Sequence, residues 1–105
     1  MESPNLSYIE TLAGSDEAFR AKLIAIVKEE LPREIAHYQE CIQAEDWKLA
    51  AEAVHKLKHK ISILGLEKSY YLAMEYEEAL LEADTRNCAS FDALLTRMLD
   101  FVSAL

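Results

Sequence analysis

Phe19, Leu23, Ile26, Val27, Leu31, Ile35, Tyr38 and Ile42 recur at steps of three and four along one uninterrupted stretch. Side chains at those steps return to one face of an α-helix. The stripe runs straight through Pro32, where a proline removes a backbone donor and crowds the preceding turn. The spacing therefore predicts a kinked continuous helix, or two helices meeting near Leu31, rather than a loop. The rest of the chain points the same way. Only two glycines and two prolines interrupt 105 residues, 51% of them hydrophobic, and long β-branched alternations are absent. A chain of this length supports a single core, so residues 1–105 read as one all-α domain.

Local signals divide the chain into helices. A short first helix is expected over about Leu6 to Ala13, ended by Gly14, which tolerates a left-handed backbone. Ser15 and Asp16 cap the long segment, and Glu17 suits its positive end. Asp46 caps a helix over roughly Trp47 to Leu64, closed by Gly65. Another runs from about Glu67 to Ala83. After "DTRNCAS", Ser90 caps the last helix, whose apolar side is Phe91, Leu94, Leu95, Met98, Val102 and Leu105. Short connections between amphipathic helices make antiparallel neighbours. The expected architecture is an antiparallel four-helix bundle with a short additional N-terminal helix.

Charge narrows the function. A formal net charge of -8 at pH 7 disfavours nucleic acid, whose phosphates demand a basic footprint, and anionic membranes. No apolar run approaches the ~20 residues of a spanning helix, and "MESPNLSYIE" lacks the basic start and apolar stretch of a secretory signal. Cys41 and Cys88 have no CxxC spacing and read as two reduced, buried or semi-exposed thiols. A cytoplasmic location is expected.

Against that acidic background stands His55 to Gly65, "HKLKHKISILG". With about 100° per residue, Ala50, Ala53, Val54, Leu57, Ile61 and Leu64 share one arc, and His55 faces away from it. Lys48, Ala51, Glu52, Lys58, His59 and Ser62 accompany His55 on the outer face. One reading is an ordinary surface histidine among solvated lysines. His55 and His59, four residues apart, have the spacing of two zinc ligands. However, the motif is not HExxH, and Lys56, Lys58 and Lys60 repel a cation. No metal is therefore expected. The same lysines favour an anion arriving at His55, such as a phosphoryl group, with Lys58 one turn along as a mobile point charge. On the following helix Leu66, Ser69, Tyr70, Ala73, Tyr76 and Leu80 form the inward stripe, and Glu77 falls inside it. A carboxylate there needs a donor or the rim of the core. It can accept from His55 Nδ1–H, which leaves Nε2 free, or turn to water or to Lys58.

"AVHKLKHKISILGLE" resembles the signature of histidine-containing phosphotransfer (HPt) domains: a histidine, any residue, an aliphatic, a lysine, usually a glycine, and a further glycine ten positions after the histidine. His55, Leu57, Lys58 and Gly65 match it. The resemblance extends to the short first helix, the "GSDEAF" start of the long helix, and "AEDWKLAAEAVHKLK". It implies a phosphocarrier rather than an enzyme. His55 would be the phosphoacceptor, attacking in line through Nε2, with Lys58 holding the phosphoryl oxygens. Glu77 stands where the family often has a glutamine bonded to the imidazole; a carboxylate favours imidazolium more than an amide does. His59 replaces the usual glycine beside the phosphoryl group.

The partners implied are response-regulator receiver domains, a hybrid histidine kinase, or both. They would dock on Lys48, Ala51, Glu52, Lys56, His59, Lys60 and Ser62, with Gly65 structural. Mg²⁺ is expected on the receiver, with no cofactor on this chain. With no P-loop or nucleotide-binding glycine run, ATP is not the direct donor. A free-standing monomer is expected. The alternative is a helical adaptor that binds a receiver or kinase domain without carrying phosphate.

Overall fold

The computed structural model describes residues 2–105; Met1, the first residue of the expected 1–105 unit, lies outside them. Five helices follow one another: α1 Ser7–Ala13, α2 Glu17–Gln43, α3 Trp47–Ile63, α4 Glu67–Leu81 and α5 Cys88–Ser103. No strand occurs among the described residues. Helices α2 to α5 form an elongated four-helix bundle, with overall extents of 45 × 23 × 19 Å, and α1 lies against α2. Helix α3 packs most extensively, against α4 on one side and α2 on the other.

The start signals that a capping side chain can supply are present. Asp16 accepts a hydrogen bond from Phe19 N at 2.9 Å, and Asp46 accepts one from Leu49 N at 3.2 Å, satisfying backbone donors that the first helical turn leaves free. Gly14 and Gly65 adopt φ of 57° and 74° at the ends of α1 and α3. Pro32 lies inside one continuous 27-residue helix, so the first of the two expected arrangements is realised. Ser90 does not cap the last helix. α5 begins earlier, at Cys88 after Asn87 with no side-chain cap, and Ser90 sits in its first turn.

The core is a column of Tyr38, Leu57, Ile61, Tyr76, Leu80, Phe91, Leu94 and Met98, all essentially buried. At its centre the Tyr38 and Tyr76 hydroxyls meet at 2.6 Å, while both rings contact Phe91. Burial pushes both phenols far above their ordinary titration range. Cys41 is buried and Cys88 half-buried, both as free thiols.

Residues 2–5 cross the α3–α4 corner. Asn5 N donates to Leu64 O at 2.9 Å. α4 has no capping side chain of its own; instead Glu2 accepts from Lys68 N and Ser69 N at 2.8 and 2.9 Å. Burial acts to raise the Glu2 carboxyl, but these two amide donors outweigh it and hold the group below the usual carboxylate range.

Candidate functional site

The buried arc of α3 covers roughly half of its circumference, because the helix is covered on two sides by α4 and α2. Lys48, Glu52, His55, Lys56, His59 and Ser62 remain exposed. His55 projects from this strip with 57% of its side chain exposed. His59 follows one turn later, its ring 5.9 Å away centre to centre and nearly perpendicular.

Beyond His59 an open groove of about 870 Å³ runs between α1, α3 and α4. Tyr8 and Thr11 line it from α1, His59 and Ser62 from α3, and Tyr70 and Tyr71 from α4.

Two of the residues expected on the docking face lie elsewhere. Ala51 is 3% exposed and belongs to the core, because it sits at the edge of α3 that α4 covers. Lys60 lies on the opposite edge, toward α2. Its ammonium bonds Glu30 at 2.9 Å and Glu34 at 3.1 Å, with only 9% of the side chain exposed. Burial acts to lower the Lys60 ammonium, but the two glutamates prevail and hold it above the usual lysine range. Lys60 thus ties α3 to α2. Lys56 is exposed and stands over a small recess with Arg33, Glu34 and His37.

Glu77 links the remaining parts of the site. Its carboxylate meets His55 Nδ1 at 3.1 Å through Oε2 and 3.3 Å through Oε1, and the Lys58 ammonium at 2.9 Å through Oε1. Both contacts that the sequence leaves open, to the histidine and to the lysine, are therefore present at once. A carboxylate only accepts, so Nδ1 carries the hydrogen of this bond; in the neutral ring the lone pair then lies on Nε2. Lys58, expected on the outer face beside His55, is instead turned toward α4: it is 11% exposed and its ammonium stands 5.5 Å over the Tyr70 ring. Tyr70 is therefore a component of the site that the sequence presents only as part of an inward stripe; likewise Glu30 and Glu34 are invisible as partners of Lys60 until α2 and α3 are packed.

Gly65 turns the chain from α3 into α4 and so places Glu77 against His55. A Cβ at this position would fall 2.6 Å from the Asn5 amide. Among the described residues no group of three or more His, Cys, Asp or Glu side chains is arranged to hold a metal ion. None of the described helices is long and apolar enough to cross a membrane.

His55 thus stands exposed on the middle of a helical bundle, held through its Nδ1. Residues 22–104, from within α2 to the end of α5, match the family model of the Hpt domain. The chain belongs to the Hpt domain family. No curated protein and no solved structure shows significant similarity to it. Hpt domains carry phosphoryl groups in two-component phosphorelays and interact with receiver and kinase domains.

Proposed function

We propose that this chain carries a phosphoryl group on Nε2 of His55, exchanging it with the aspartate of a receiver domain in a cytoplasmic multistep phosphorelay. The observation that carries the reading is the bond from His55 Nδ1 to Glu77 beneath a ring that is more than half exposed. It fixes the tautomer with the nucleophilic nitrogen outward. In the forward step the Nε2 lone pair attacks phosphorus in line, the bond to the aspartyl oxygen breaks, and the carboxylate departs. The Nδ1 hydrogen stays on its bond to Glu77. Such a transfer depends on alignment and charge neutralisation more than on covalent machinery. Mg²⁺ belongs to the receiver's acidic cluster, and no intrinsic kinase activity is assigned to the chain.

Docking covers the exposed strip of α3. Lys48 and Lys56 supply positive charge, and Glu52, His59 and Ser62 lie beside the acceptor. His59 contacts the incoming domain. A monomer fits this scheme, since the strip serves the partner rather than a second copy.

The test is incubation with a phosphorylated receiver, followed by measurement of acid-labile phosphate on this chain. Label is expected on the wild type and on His59→Gln, and is expected to vanish in His55→Gln. Label that follows His59 instead would move the acceptor. Binding of the receiver with no label on any variant would replace the carrier with an adaptor.

A further inference from the structure

We propose that Lys58 acts on His55 through Glu77, as a positioning residue that balances the carboxylate's charge and so keeps the imidazole neutral. The proposal rests on the phosphocarrier reading above and deepens it. Lys58 stands three residues after His55, where the sequence suggests a direct grip on the phosphoryl oxygens. The geometry gives its ammonium a different occupation. It is 2.9 Å from Glu77 Oε1 and 5.5 Å over the Tyr70 ring, and only 11% of the side chain reaches solvent. The carboxylate it holds lies on the Nδ1 edge of His55, whereas the phosphoryl group forms at Nε2, on the far edge of the ring. Reaching that group would require Lys58 to abandon both the carboxylate and the aromatic face.

The consequence is chemical. A carboxylate facing only an imidazole favours the imidazolium, whose Nε2 is protonated and has no lone pair to attack with. A carboxylate already paired with an ammonium asks only for a hydrogen-bond donor, which neutral imidazole supplies through Nδ1–H. Glu77 and Lys58 thus work as one neutral unit. Lys58 matters here because the residue bonded to His55 is a glutamate; beside an uncharged amide no cation would be required.

The experiment is a cycle of wild type, Lys58→Met, Glu77→Gln and the double variant. Two quantities are read at neutral pH: the initial rate of phosphoryl acceptance from a phosphorylated receiver, and the ring ¹⁵N chemical shifts of His55. Lys58→Met alone is expected to slow acceptance by roughly three- to tenfold, toward the lower end of what coupled neighbours show, and to move the ¹⁵N pattern toward imidazolium. In the Glu77→Gln background the same change should leave both readings within about twofold. Lys58→Arg, which keeps the cation, should restore the wild-type ¹⁵N pattern.

Equal slowing by Lys58→Met in both backgrounds, with His55 remaining neutral, would overturn the proposal in favour of a direct phosphoryl contact. Absence of label even on the wild type would remove the phosphocarrier reading instead. The ¹⁵N shifts, which need no phosphate, would then still decide whether Lys58 sets the state of His55 through Glu77.

Discussion

Replacing Lys60 by methionine tests whether this lysine is a structural tie rather than a docking charge. Methionine keeps most of the buried aliphatic stem, so the change removes chiefly the ammonium. Its two partners respond differently. Glu30 has about half of its side chain in solvent (52%) and turns to water, contributing little. Glu34 is 10% exposed, and its other oxygen, Oε1, is already buried with no hydrogen-bond partner. Without Lys60 it becomes a largely buried carboxylate that has lost its hydrogen-bonded cation, with only Arg33, His37 and Lys56 around the neighbouring recess. Breaking such a pair costs about 3–5 kcal/mol; with some relief from local opening, about 2–4 kcal/mol is expected here. That is a large part of the ~5–15 kcal/mol typical of a domain.

Urea denaturation of Lys60→Met should show a lowered midpoint with an unchanged slope. Adding Glu34→Met should recover most of the loss, since removing both charges removes the penalty. The pH dependence has a definite sign. The Lys60 hydrogen bond, with its charge, holds the Glu30 carboxyl below the usual range. Its contribution is therefore present above the ordinary glutamate range and lost as pH falls through the lowered value. The Lys60 ammonium is held above the usual lysine range, so its contribution is present below about pH 10 and lost as pH rises through the raised value. The gap between wild type and Lys60→Met should therefore narrow as pH rises through the raised Lys60 value, while the acid side loses only the small Glu30 contribution. A loss under about 1 kcal/mol at neutral pH would refute the assignment of a buried tie.

Two further substitutions probe the frame that holds the site. Gly65→Ala combines a positive φ with a Cβ driven to 2.6 Å from Asn5, whereas Gly14→Ala has a positive φ and open space; chemical denaturation should place the first about 1–2 kcal/mol below the second. Tyr76→Phe leaves the buried Tyr38 hydroxyl with only the Cys88 thiol at 3.9 Å and should cost about 1–2 kcal/mol, most of which the Tyr38→Phe/Tyr76→Phe double variant should recover.

The parts of the fold legible in the sequence were those decided within a few residues. Asp16 and Asp46 cap, Gly14 and Gly65 turn, and the α3 and α5 stripes bury, because each depends on neighbours one helical turn away. Leu105 is the exception in the α5 stripe: it lies beyond the end of the helix and is exposed. Phe19 and Ile26 show where that reasoning stops. They continue the α2 stripe yet each remains 40% exposed, since α2 has 27 residues against 17 in α3 and its first turns extend toward α1. Periodicity reports which face a residue shares, not whether another helix reaches it. Glu2 is beyond local reasoning altogether, because the helix it caps lies more than sixty residues away in sequence.

At the site the same distinction separates three lysines that look alike as letters. Lys56, Lys58 and Lys60 suggest one positive patch around His55. On the helix, however, steps of two residues rotate each lysine by about 200°, so consecutive ones face different neighbours. Lys60 is turned toward α2 and joined to Glu30 and Glu34; Lys58 is turned toward α4 and joined to Glu77; only Lys56 stays exposed on the strip. Two of the three charges are thus balanced inside the protein before any partner arrives. What remains around His55 is a histidine neighbour, Lys48, Lys56 and an aromatic groove. On the proposed reading, receiver docking relies less on long-range attraction than the bare sequence suggests, and more on the fit of the groove lined by α1, α3 and α4. Lys58 and Lys60 act instead on the protein itself, Lys60 by joining two helices and Lys58 by holding the carboxylate bonded to His55.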